Sequence, residues 1–208
     1  MTWTPPTPWH VPKQWPGATC LVVCTGESAG PQVDLIRRFN GPVIAVKHGV
    51  VLRPDADVFF MSGEWTEEIA AGLLPRWTKR DAPGCHAIVR GRYCKGLDPV
   101  FKRVTRSKAH GTLSDLTDHV TGLDTGTSAI NLAYHFGANT IVLVGYDMRG
   151  GHFCKHPLQF PPEDHFQRHM AVLPAMGADA AAKGVRIVNC SPISRVTCFE
   201  RRPLEEFV

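Results

Sequence analysis

No apolar run in this chain approaches the ~18 residues that a membrane-spanning helix needs, so no membrane partner is expected. The opening stretch MTWTPPTPWHVPKQWPG lacks the basic and apolar regions of a signal peptide, which predicts a cytoplasmic location. There is no C-x-x-C: the seven cysteines (20, 24, 85, 94, 154, 190 and 198) are odd in number and scattered. They are expected to be reduced thiols, with Cys20 and Cys24 acting as small hydrophobes inside an apolar run. Neither a Walker A loop nor a G-x-G-x-x-G dinucleotide fingerprint occurs, and no internal repeat is visible. Charge of one sign is not in large excess either. The net charge of +4 suits an anionic ligand but falls short of the basic stripe of a dedicated nucleic-acid binder.

What is present fits one domain of 208 residues, with 43% hydrophobic and 20% charged residues. A chain of this length buries roughly 70% of its unfolded surface, enough for a core without covalent staples. Residues 1–17 hold five prolines and three tryptophans and read as an extended arm packed by its aromatics. From 18 to 208 the pattern is strand, turn, helix, repeated. Apolar runs at Ala18–Cys24, Val43–Val46, Val58–Met61, Thr140–Val144 and Val185–Asn189 read as strands, and Cys85–Arg90 as a further candidate. Helices are expected from Pro31 to about Phe39, from Trp65 to Leu74, from Ser128 to Phe136, and as one long helix from Glu163 to Lys183. The stretch 76–122 is the least legible, and its basic part reads as irregular. Strands alternating with helices predict an α/β fold with a doubly wound, mostly parallel, Rossmann-like sheet.

In such sheets ligands bind beyond the carboxyl ends of the strands. The turn Thr25-Gly26-Glu27-Ser28 follows the first strand, and its small residues, hydroxyl and helix-start amides suit a phosphate. Tight turns also use Gly and Ser for steric reasons alone. Lys47 and His48 end the second strand. At Asp124-Thr125-Gly126-Thr127-Ser128, Thr127 or Ser128 can cap a helix, while Gly126 and spare amides can meet an anion; Asn131, one turn on, can reach a base or sugar. Gly145, Tyr146 and Asp147 then lead into a loop carrying His152 and His156. Those histidines suit acid–base work, a plain structural role, or, with Cys154, a metal, although the spacing matches no standard zinc pattern. His165 and His169 share a helix face and are expected to be exposed. Five cations from Lys95 to Lys108, after Arg90 and Arg92, form either a solvated face or a phosphate-contacting surface for nucleic acid.

The order of these motifs resembles a family of phage and prokaryotic Rossmann-type proteins. That family includes 6-hydroxymethylpterin diphosphokinase-like proteins and, more distantly, bacterial CMP-sialic-acid-dependent sialyltransferases. The resemblance spans roughly residues 15 to 200. It is carried by Trp15-Pro16-Gly17-Ala18-Thr19 leading to Cys24-Thr25-Gly26-Glu27-Ser28, and by Val43-Ile44-Ala45-Val46-Lys47. Pro54-Asp55-Ala56-Asp57-Val58 with Glu64-Trp65, the block from Thr127 to Asp147, and the segment from Gly184 to Phe199 complete it. Cys24, Glu27 and Lys47 stand where the family pattern has Gly, Pro and Asn.

The resemblance implies a nucleotide or nucleotide-sugar in the cleft, held by Thr25–Ser28 and Thr127–Ser128. A histidine after Asp147 would act as base or leaving-group stabiliser. The expected function is a glycosyltransferase-like transferase with a nucleotide-sugar donor as co-substrate, its acceptor a modified DNA base or a glycan. The alternatives are an ATP-dependent diphosphokinase-like enzyme, with Mg²⁺ held by Asp147, Glu27 or Glu64, and a non-catalytic nucleotide-binding phage accessory protein.

Overall fold

The computed structural model describes residues 7–62, 66–91, 97–154 and 163–208. Strands β1 (Thr19–Val23), β2 (Val43–Val46), β3 (Val58–Ser62) and β4 (His86–Arg90) are buried almost throughout. Their near-continuous apolar runs are what a parallel sheet covered on both faces requires. Beyond β4 lie β5 (Phe101–Arg106) and β6 (His119–Val120). On the other side of β1 lie β7 (Thr140–Val144), β8 (Arg186–Asn189) and β9 (Glu200–Arg201). The sheet order is β6-β5-β4-β3-β2-β1-β7-β8-β9, and every pairing is parallel. This is the doubly wound α/β fold.

Alternate strand residues feed two separate cores, as the two-residue period of a strand demands. Leu21, Val23, Phe59 and Met61 pack against Ile36 of α1 (Val33–Arg38), Val50 of α2 (Gly49–Leu52) and Leu73 of α3 (Thr66–Leu73). Cys20, Val22, Ile44 and Phe60 face the opposite way. There they meet Ile130 and Phe136 of α4 (Thr125–Phe136), and Leu173 and Met176 of α6 (Leu173–Ala182). The helix α5 (Glu163–Met170) precedes α6 on this second face.

Three expectations change. The basic stretch is not irregular: Phe101–Arg106 is a strand, because Phe101 and Val104 turn into the two cores while the intervening charges stay at the edge. The single helix expected from 163 to 183 is two, α5 and α6, with Pro174 in the first turn of α6. Proline is tolerated at a helix start but not inside one. Finally, α4 begins at Thr125, because Asp124 rather than Thr127 or Ser128 is its N-cap and accepts from the Thr127 amide.

The described part of the arm, 7–17, docks on the sheet by its aromatics. Trp15 stacks on Phe136 at 4.1 Å between ring centroids, and the Trp9 amide donates to the Arg103 carbonyl at 2.7 Å. The Lys102 ammonium sits 4.3 Å from the Trp9 ring centroid and donates to Nδ1 of His86 at 2.9 Å. Nε2 of His86 meets Oε1 of Gln14 at 3.0 Å. With Lys102 donating to it, His86 must be neutral, and burial together with that cation pushes its pKa down to about 4. A histidine whose pKa falls on folding stabilises the fold above its ordinary value of 6.5, and this contribution is lost as pH falls toward 4. Tryptophan fluorescence should therefore report loosening of the arm between pH 6.5 and 4 in the wild type. His86→Gln should remove that pH-dependent part; an equal acid loss in the variant contradicts the assignment.

Candidate functional site

Strand order reverses between β1 and β7, which pair in register from Thr19–Thr140 to Val23–Val144. After β1 the chain crosses to the α1 face; after β7 it crosses to the α5–α6 face. The two diverging connections leave a cleft at the carboxyl edge, the place where open α/β sheets bind ligands. Its volume is about 270 Å³. Thr25 and Gly26 enter it from the β1 turn, Lys47 and His48 from the end of β2, and Gly126 from the start of α4. Gly145, Tyr146, Asp147 and His152 enter from the connection after β7. Asp124 at the start of α4 and Arg149 in the connection after β7 also line it, and His165 and Phe166 of α5 add a wall that was not anticipated.

Close backbone approach builds this junction. The Gly26 amide donates to the Gly145 carbonyl at 2.8 Å, and a Cβ on Gly26 would lie 2.5 Å from both that oxygen and Oδ2 of Asp147. Only glycine fits there. Lys47 (φ 49°) and Met148 (φ 50°) are the two non-glycine residues with left-handed backbone among the described residues, and both line the cleft. Such conformations cost of order 1–3 kcal/mol and concentrate where surroundings hold a side chain for a purpose.

Several expected ligand contacts are engaged within the protein instead. Ser28 donates its amide (2.9 Å) to one oxygen of the buried Asp147 and its hydroxyl (2.5 Å) to the other. With the Gly26 amide bonded to the Gly145 carbonyl and the Ala29 amide to the Gly26 carbonyl, the Thr25–Ser28 loop is not the open phosphate cradle that the sequence suggests. Glu27 is exposed, with its carboxylate toward Gly151. Asn131 is fully buried: its side-chain oxygen accepts from the Ser114 and Thr121 amides. Ser128 donates to the Thr121 carbonyl and accepts from the buried Arg90, which also donates to the Gly122 carbonyl. Thr127 is held by Asp124 and Tyr146. Of the carboxylates proposed for Mg²⁺, Asp147 is bonded to Ser28 and Glu27 is exposed, while Glu64 lies outside the described residues, as does His156.

Besides Arg149, which is exposed and also lines the cleft, two groups are left to meet an anion. The ammonium of Lys47 makes no hydrogen bond or ion pair with any described residue, although burial and the Arg90 charge lower its pKa and Asp124 offsets part of that. The amides of Thr125 and Gly126, at the start of the twelve-residue α4, have no acceptor among the described residues, and both residues line the cleft. Gly126 is required there because a Cβ would come within 2.6 Å of the Tyr146 ring. His152 also lines the cleft: its Nδ1 lies 3.0 Å from the Thr25 carbonyl, which can only accept, so Nδ1 carries a proton.

The helix α5 corrects another expectation. His169 is buried, not exposed, and its Nδ1 is 3.8 Å from Oδ2 of Asp124. His165 is half-buried against it, with 3.9 Å between ring centroids.

Neither a family model nor a curated protein matches the chain, so the family resemblance stands on the motifs quoted above alone.

Removing the Ser28 hydroxyl should leave Asp147 half-satisfied in a buried place. Ser28→Ala is expected to cost about 1–3 kcal/mol in urea unfolding, whereas a change within 0.5 kcal/mol, the usual scatter of a surface substitution, contradicts this role.

Proposed function

We propose that this protein is a transferase that takes a nucleotide-activated donor, of the nucleotide-sugar type, into the cleft between β1 and β7. One observation carries the reading: at the switch point, the unpartnered Lys47 and the open first-turn amides of α4 share a cleft with a histidine protonated at Nδ1. The first two suit the donor's phosphates, since a cation and a helix start both favour negative charge. As the donor's bond to phosphate breaks, the electron pair departs with the phosphate oxygen, and Lys47 neutralises it. His152 takes the proton from the attacking acceptor through Nε2. Phe166 offers an apolar wall for a base or sugar.

The acceptor is less constrained. Of the basic segment, Lys102 is committed to His86 and Trp9, and Arg90 is buried, while Arg106 and Lys108 are exposed.

A thermal-shift screen of CMP-, UDP- and GDP-sugars, ATP and free nucleotides should raise the melting temperature with at least one nucleotide-sugar. Lys47→Met should weaken that ligand roughly tenfold to a hundredfold, the worth of a charge-assisted contact. His152→Ala should leave binding within a few-fold and slow turnover roughly 100-fold or more. Silence from every nucleotide rejects the reading, and abolition of turnover by EDTA redirects it to the Mg²⁺-dependent alternative.

A further inference from the structure

The wall of the cleft formed by α5 carries a linked set of ionisable groups that the reaction above does not use. Asp124 is fixed first. As N-cap of α4 it accepts from the Thr127 amide at 2.9 Å and from the Thr127 hydroxyl, and the Tyr146 hydroxyl donates to its Oδ2 at 3.2 Å. That same Oδ2 faces Nδ1 of the buried His169 at 3.8 Å. His165, one turn earlier on the same helix face, stands against His169 with ring centroids 3.9 Å apart and planes at 48°. Its other side lines the cleft that also holds Lys47 and the start of α4.

Their chemistry is that of one shared proton. Asp124 favours an imidazolium beside it, while two imidazoles in van der Waals contact do not both hold a charge. Burial first, and then His165, Arg168 on its own helix and Arg106 at the end of β5, lower the pKa of His169, and Asp124 offsets only part of that. A carboxylate at the back, a buried imidazole between, and a half-buried imidazole at the cleft can together hold one proton, on the side where an anion arrives. His169 is therefore the neutral member of the set, and an anion in the cleft favours a proton taken up from solvent on His165, which lines that cleft.

We infer that Asp124, His169 and His165 form a proton-linked phosphate contact, in which His165 touches the anion and His169 and Asp124 are its positioning residues. The inference rests on the proposed function only in taking the natural anion to be the phosphate of a nucleotide. No bond is made or broken here. One proton is taken from solvent as the anion binds and returned when it leaves.

Calorimetric titration with inorganic pyrophosphate at pH 6 and pH 8 tests it, with His165→Ala compared to the wild type so that the probe's own protonation is common to both. Wild-type affinity at pH 6, relative to pH 8, should exceed the same ratio in His165→Ala by about tenfold, the effect of one added charge-assisted contact. Asp124→Asn keeps a good N-cap, so the fold is retained. It should lower that acid-side gain. If Asp124 merely repels the anion, Asp124→Asn instead binds more tightly at both pH values with the gain intact, and the proton-linked contact is wrong. Equal pH ratios in wild type and His165→Ala, or no pyrophosphate binding at either pH, also overturn it. The two readings fail separately. Proton-linked pyrophosphate binding that no nucleoside moiety improves removes the nucleotide reading and keeps this contact, and tight nucleotide binding with no difference in pH ratio does the reverse.

Discussion

The carboxyl edge of the sheet depends on how closely the turn after β1 approaches the connection after β7. A main-chain hydrogen bond from Gly26 to Gly145 joins them, and the space beside it is too small for a methyl group. The Ser28–Asp147 pair then ties the two connections together through side chains. Because β1 and β7 are neighbours whose connections leave to opposite faces, this junction is the one place where a close seam opens into a cleft. Tyr146 follows Gly145 directly, and His152 bonds back to the Thr25 carbonyl, so both take their positions from it.

Hydrogen-bond demand explains which polar residues remain available. A buried polar group must find a partner, and near the seam most do so within the protein. Ser28 satisfies Asp147, Asn131 satisfies two loop amides, and Arg90 satisfies the carbonyl of Gly122 and the hydroxyl of Ser128. Polar side chains that look like ligand contacts in a linear sequence are thereby converted into structure. What is left to act on a ligand is a smaller set: a lysine held in left-handed backbone, an exposed arginine, two helix-start amides, and imidazoles on both lips.

Much of the fold was legible beforehand. β2 and β7 occur with the expected bounds, and β1, β3, β4 and β8 within a residue or two, because a strand buried on both faces must be a continuous apolar run. β5 escaped notice because only Phe101 and Val104 of its six residues are buried, and Lys102, Arg103 and Arg106 break up any apolar run. The break between α5 and α6 did carry a signal, Pro174, which a closer reading of helix starts would have used. In the cleft, the residues read from strand ends arrived together, whereas His165 and Phe166 did not announce themselves, since helix residues reach a site only through packing.

The sequence by itself determined a parallel α/β sheet and the loops at its carboxyl edge, since those follow from local apolar period and turn chemistry. It also supplied the glycines without which the seam between β1 and β7 could not close. Only the tertiary structure decided which polar atoms in those loops remain uncommitted. Hydrogen-bond partners such as Ser28 and Asp147 lie 119 positions apart in the chain, and no local pattern states that they meet.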